Sequence, residues 1–434
     1  MSMNVDIATA VTAPIFNPNP LMLLPFAAML LSIALLPLIA KHHWERHYPK
    51  ISVFLGAISV TYYLVVFHAG TRMLHTAAEY LSFIAFVGSL FVVSGGIHIR
   101  VKGEARPAVN ALFLLFGAAL ANIVSTTGAS MLLIRPWIRM NRYRFTKFHT
   151  AFFIFIVSNA GGCLTPIGDP PLFLGYLKGV PFWWITQRAW PAWCLVVPAL
   201  VAVFYILDRR NFLRAPKSVR TAETAEETWR VEGVHNLAFL ALIVAAVFIK
   251  RPTGLRELLM VAAALASYFA TPRRLHEANE FMLEPIKEVA WLFAGIFATM
   301  VPALDYLELH GKQLGMSSPA AFYWLSGSLS AVLDNAPTYL AFLASAFGLH
   351  GLTLDNSSDM AVMLTQNASF IVAISFGSVF FGALTYIGNG PNFMVKSIVE
   401  HSNAAAPGFF GFTFKHALPI LGPVLLVIAI LYFA

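Results

Sequence analysis

Long stretches of this chain carry no Asp, Glu, Lys or Arg, among them residues 21–40, 51–71, 80–99, 107–134, 361–395 and 416–434. An apolar run of about 18 or more residues is long enough to cross the hydrocarbon core of a bilayer as a helix. In lipid the backbone must satisfy its own hydrogen bonds, so such runs predict helices rather than open strands. A soluble protein with buried helices would give each of them a polar face, and these have none. Composition agrees: 58% of the 434 residues are hydrophobic and 12% charged, against about 25% charged in soluble domains. The expected fold class is an all-α polytopic membrane protein.

Cys163 and Cys194 both lie in apolar segments, which implies no disulfide framework. Lys41 is the first basic residue, so the start does not read as a cleaved signal peptide. The net charge of +8 is read as the positive-inside bias of membrane loops rather than as a site for an acidic partner or nucleic acid. Basic clusters follow the first and third spans (Lys41, Arg46, Lys50; Arg100, Lys102, Arg106) and the stretch 107–134 (Arg135, Arg139, Arg142, Arg144, Lys147). Others lie in the polar segment 208–232 and around Arg273, Arg274 and Lys287. All are placed on the cytoplasmic side.

Segment 107–134 then has basic residues at both ends and a small, polar middle: Asn122, Ser125, Thr126, Thr127 and Gly128. A single crossing would put one cluster outside, so a re-entrant hairpin is expected. Each arm would be ~14 residues, too short for a core of ~30 Å. Segment 313–354 has the same shape around Asp334-Asn335-Ala336-Pro337-Thr338. The count is about eleven spans plus two hairpins, with both termini outside. Trp183, Trp184, Trp190 and Trp193 could form an interfacial belt or simply pack.

The chain also repeats itself. Gly162-Cys163-Leu164-Thr165-Pro166-Ile167-Gly168-Asp169-Pro170-Pro171 aligns with Gly382-Ala383-Leu384-Thr385-Tyr386-Ile387-Gly388-Asn389-Gly390-Pro391, 220 residues later. Asn122-Ile123-Val124-Ser125 aligns with Asn335-Ala336-Pro337-Thr338, 213 residues later. The expected organisation is a first repeat over 1–207 (hairpin 107–134, broken helix 148–178), a linker over 208–232, and an inverted second repeat over 233–434 (hairpin 313–354, broken helix 361–398). Gly and Pro within an apolar span break the helix and free backbone groups near the bilayer centre, a pattern found in transporters. A lone kink would serve packing alone; two matched kinks, each with a matched polar hairpin, argue for an ion site.

Ionisable side chains inside spans are costly and are functional candidates by default. Asp169 lies in the first break and Asp334 at the second hairpin tip. Lys396 and Glu288 are read as interfacial. The position matching Asp334 is Ala121, and the position matching Asp169 is Asn389. If each hairpin tip faces its own break, each site holds one carboxylate. Site one would gather Asn122, Ser125, Thr126, Thr165, Gly168 and Asp169; site two would gather Asp334, Asn335, Thr338, Thr385, Gly388 and Asn389. A carboxylate in a low-dielectric site can exchange a proton for a cation, so Na⁺ is expected at Asp169 and Asp334. Asp169, just before Pro170, could alternatively be a structural cap. His42, His43, Glu45 and His47 lie in a basic loop without a second cluster and are not read as a metal site. No phosphate loop, nucleophile constellation or cofactor motif is seen, so no enzyme and no cofactor are expected.

Asn159-Ala160-Gly161-Gly162 followed by Thr165-Pro166-Ile167-Gly168-Asp169 resembles the motif of NhaD-type sodium/proton antiporters. The hairpins and paired breaks resemble more broadly the ion transporter superfamily, which includes arsenite and citrate permeases and divalent-anion/sodium symporters. The resemblance implies two inverted repeats, a transport domain moving elevator-fashion against a scaffold, and a homodimer. Pro170-Pro171 departs from the antiporter pattern and is closer to the dicarboxylate symporters, which carry threonine at the position of Asp169. The functional expectation is Na⁺ (or Li⁺) exchange for H⁺ across a bacterial-type inner membrane, with membrane lipid and small ions as partners. The alternative is sodium-coupled symport of a di- or tricarboxylate.

Overall fold

The computed structural model describes residues 15–102, 106–214, 228–249 and 251–434. Lys217, Arg220, Lys250 and most of the expected linker lie outside the described residues. Helices dominate: α1 Leu24–Ile39, α2 Lys41–Val66, α3 Gly70–Gly95, α4 Pro107–Arg139, α5 Lys147–Ile156, α6 Pro170–Leu177 and α7 Phe182–Arg214, followed by α8 Asn236–Val247, α9 Leu255–Ala270, α10 Arg273–Ala278 and α11 Glu284–His310. The chain continues with α12 Pro319–Val332, α13 Asn335–His350, α14 Ser357–Gln366, α15 Ala368–Phe381, α16 Gly390–His401 and α17 Leu418–Phe433. Among the described residues, seven helices are long and apolar enough to cross a membrane, or eight if the bent pair α14–α15 counts as one. The chain is therefore a multi-pass membrane protein.

One of the seven, α4, does not run straight. Ser125 at its middle has φ 66° and ψ 161°, a left-handed conformation that serine adopts only under constraint. The chain doubles back there. Phe113 and Trp137 stack at 5.6 Å although 24 residues separate them, and the Asn110 amide donates to Asn141 Oδ1 at 2.6 Å. In a straight helix, residues 24 apart would sit about 36 Å from each other. The pairs are centred on the tip, and the two arms are Pro107–Val124 and Thr126–Arg139.

Helices α12 and α13 likewise fold against each other. Phe322 and Phe342 meet edge to face at 6.1 Å, with the turn at Leu333-Asp334. Local sequence fixes both ends of this unit. Ser318 caps α12, with Pro319 in its first turn. Asp334 Oδ1 accepts from the Ala336 amide to cap α13. Gly351 closes α13 at φ 68°, where glycine has no Cβ penalty.

The helices pack in two groups. In the first, α11 lies against α1, α2 and α3, while α8 and α9 lie against α3. In the second, α4 lies against residues 160–164 and α7, α12 and α13 against α15, and α16 against α4 and α5. The groups meet chiefly where α11 touches α13, and where α3 touches α4 and α6.

Of the linker expected over 208–232, residues 208–214 continue α7 and Thr228–Glu232 form strand β2. That strand pairs antiparallel with β1, His98–Lys102, with Arg100 opposite Arg230. No periodicity in these short polar segments signals a strand; the pairing is made by chain packing. Similarly, residues 361–366 belong to α14, bent 88° from α15, so the second interrupted helix starts at Ala368 rather than within 361–366.

Candidate functional site

Both interruptions have the same local structure. After α5, Ala160–Leu164 forms a 3-10 turn, Thr165 is extended, and α6 begins after Asp169. After α15, Gly382–Leu384 forms a 3-10 turn, Thr385 is extended, and α16 begins after Asn389. Glycine is needed in both. A Cβ on Gly168 would run into the Gly162 carbonyl, and one on Gly388 into the Ser330 and Gly382 carbonyls. Each loop is therefore closed on itself by two glycines six residues apart.

The first hairpin tip grips the first break through backbone groups. Thr126 N donates to Gly168 O at 2.7 Å. Thr165 Oγ1 donates to Asn122 O at 2.7 Å, and the Asn122 amide donates to Gly161 O at 2.6 Å while its oxygen accepts from Leu164 N. Trp193 also reaches Gly161 O, at 2.9 Å, so of the four tryptophans it is the one that supports the break. Ser125 Oγ accepts from Gly128 N and shapes the tip itself. The second hairpin uses its first arm: Thr385 Oγ1 donates to Ala331 O at 2.6 Å.

At the centre lies Asp169, fully buried. Its Oδ1 accepts from Thr126 Oγ1 at 2.8 Å and from Asn389 Nδ2 at 3.0 Å. Its Oδ2 accepts from Asn335 Nδ2 at 2.8 Å. Thus both hairpin tips and both breaks converge on one carboxylate. All three donors are neutral, and among the described residues no Lys, Arg or His lies within ion-pair distance of it. Asp169 does not cap α6, since no backbone amide of that helix donates to its side chain.

The expected second carboxylate site is arranged differently. Asn335 and Asn389 turn to Asp169 rather than to Asp334. Asp334 is half-buried and spends its side chain on the α13 cap. Thr338 Oγ1 donates to the Asp334 backbone carbonyl, one helical turn back, and not to the carboxylate. The reason is geometric: the cap turns the Asp334 carboxylate toward its own helix, while Asn335, one residue on, points across to the first break.

Three residues outside the expected set complete the centre. Asn159 donates to Asn392 Oδ1 at 2.7 Å, and its oxygen accepts from Asn389 at 3.2 Å. Asn392 in turn donates to Gly382 O and Thr385 O. Ser158 O accepts from Asn389 at 3.1 Å. The available sequence signal was an asparagine within a charge-free stretch: Asn159 in 148–168 and Asn392 in 361–395. One buried acceptor stays open: Asn335 Oδ1 has no partner among the described residues.

The basic side chains near the breaks are already engaged. Lys396 pairs with Glu400 at 2.7 Å, and Lys178 with Glu79 and Asp355. In the His42–His47 segment His43 stacks on His47, and Glu45 pairs with Lys41 at 3.8 Å. Among the described residues, the His, Asp and Glu ligand atoms that converge are those of His75, Glu79 and Asp355, with Lys178 Nζ already between the two acids.

Comparison with curated proteins returned no match. Residues 17–433 match the family model described as "Putative citrate transport". With helices that cross a membrane, paired interruptions and a match over nearly its whole length, the chain belongs to this family of membrane transporters.

Proposed function

We propose that the protein is a secondary active transporter in which Asp169 alternately carries a proton and Na⁺ or Li⁺, moving them in opposite directions. The observation that carries this reading is the buried Asp169 carboxylate, met from both halves by neutral donors and by no cation. Burying an isolated carboxylate is costly unless it is neutralised. A proton or a small cation does that, and the two exclude each other on the same oxygens. The Thr126 hydroxyl and the amide oxygens of Asn335 and Asn389 can turn toward a hard cation, and Asn335 Oδ1 is unpartnered for that purpose. Asp334 serves the hairpin tip as a cap in this reading. The repeats are taken as inverted, the second helix group as the moving part, and the setting as an inner membrane with the protein as a dimer.

The family description favours a second reading, in which a cation loaded at Asp169 drives citrate or a related anion. Against it, an unneutralised Asp169 would repel a polycarboxylate, and Lys178 and Lys396 are engaged elsewhere.

The test is reconstitution into liposomes with a pH dye inside, followed by NaCl addition outside. Sodium-driven proton movement that Asp169→Asn abolishes supports exchange. Absence of proton movement together with sodium-dependent uptake of labelled citrate would replace exchange with symport.

A further inference from the structure

A second buried polar centre lies away from Asp169, near the ends of α2, α3, α6 and α11. Four helical elements and a turn contribute to it. Tyr63 comes from α2, Arg72 and Glu79 from α3, and Asp305 and Glu308 from α11. Lys178 ends α6, and Asp355 follows α13. The side chains of Arg72, Lys178, Asp305 and Glu308 are each at most 7% exposed. Ion pairs this deep are not surface decoration.

The arrangement of partners is specific. Arg72 pairs with Asp305 at 2.8 Å, inside the first helix group, and with Asp355, which belongs to the second. Lys178 pairs with Asp355 at 2.8 Å, inside the second group, and with Glu79 at 2.8 Å, in the first. Tyr63 donates to Asp305 Oδ2 at 2.7 Å, again inside the first group. Each cation therefore has one acid on its own side and one across the boundary.

We propose that this network is a demountable lock between the two helix groups, closed in the structure described and opened when the groups slide past each other. The proposal rests on the transport reading, which requires such a movement. Breaking a buried ion pair by removing one partner is costly because a bare charge remains. Here separation leaves no bare cation: Arg72 keeps Asp305 and Lys178 keeps Asp355. A permanent brace has no need of that duplication. The lock also sits where it has leverage, because Lys178 ends the half-helix that begins directly after Asp169, and Asp355 follows the helix that carries Asn335.

The test measures separation directly and needs no substrate. Spin labels are placed at Leu74→Cys on α3 and Ser358→Cys on α14, both exposed, with Cys194→Ser to remove the exposed native thiol. Distances are read by pulsed electron resonance on the full chain in lipid nanodiscs. Glu79→Gln removes one crossing pair and is isosteric; Lys178→Gln is the stronger variant. The expected result is one dominant distance in the otherwise native chain, and a second, longer one whose share rises about tenfold in Glu79→Gln. A single unchanged distance in both single variants, with folded protein confirmed by gel filtration, overturns the lock. Absence of both sodium-coupled proton movement and sodium-coupled citrate uptake by the unmodified protein in liposomes would instead count against the transport reading, since the distances are read independently of it.

Discussion

Replacing Asp169 by asparagine should remove transport and leave the protein folded. The carboxylate accepts three hydrogen bonds. An amide in its place keeps one oxygen, which can serve Thr126 and Asn389, but presents an NH₂ to the Asn335 NH₂. Two facing donors would cost about 1–3 kcal/mol for the group left unpaired. Asn335 can avoid this by rotating its side-chain amide, because its own oxygen has no partner and is free to accept. The expected loss for Asp169→Asn is therefore below about 1 kcal/mol. Asp169→Ala has no such escape. It strands the Thr126 hydroxyl and the Asn335 amide, while Asn389 keeps Ser158 and Asn159. At about 1–3 kcal/mol per stranded donor, the loss is about 2–6 kcal/mol. Tryptophan fluorescence on heating in detergent separates the two variants, and the liposome assay reads flux. Wild-type flux in Asp169→Asn would refute the carrier role. Equal destabilisation by the two variants would refute the rotation of Asn335.

Asp334→Asn keeps a capping acceptor and should retain folding and most of the flux; abolished flux in folded protein would put a second carboxylate in the path. Gly168→Ala should yield no folded protein by gel filtration, because its methyl would enter the Gly162 carbonyl; a monodisperse product with normal flux would show that the loop can open. Asn392→Ala strands the Gly382 and Thr385 carbonyls, while Asn159 keeps Ile154 O and Asn389. It should lower stability by about 2–6 kcal/mol in the same heating assay, at about 1–3 kcal/mol per stranded carbonyl, and an unchanged transition would mean that the break does not depend on it. Asp208, fully buried, accepts from Asn110 at 2.8 Å and pairs with Arg144 and His149. Asp208→Ala should cost about 3–5 kcal/mol, as for a broken buried pair, while leaving ion selectivity in the surviving protein as it was.

The hairpins and breaks were legible because each has a cause written locally. Charge-free runs demand helix, and Gly, Pro and small polar residues mark where helix fails. Asp169 stood out as a central residue because a carboxylate within an apolar run is costly, and the structure does place it where both hairpin tips and both breaks meet. What pairs with it was not. Matching tip to break within each repeat predicts two separate centres, yet the reach of Asn335 and Asn389 across the boundary joins them into one. That depends on the side-chain directions of neighbouring residues at a turn, and Asp334 and Asn335 differ by a single position. Strand β1 and the Arg72–Lys178 network were hidden for a related reason. Their partners are up to 283 residues apart in the chain, and nothing in either segment names the other.

The convergence on Asp169 also dictates an order of events during synthesis. When residue 169 enters the membrane, only Thr126 among its three donors exists. Asn335 follows 166 residues later and Asn389 follows 220 residues later. Until then the carboxylate must stay wetted or protonated, since an unsatisfied charge in lipid is too expensive to leave exposed. The first hairpin can grip the first break as soon as both are made, but the centre around Asp169 stays incomplete until Asn335 and Asn389 have followed.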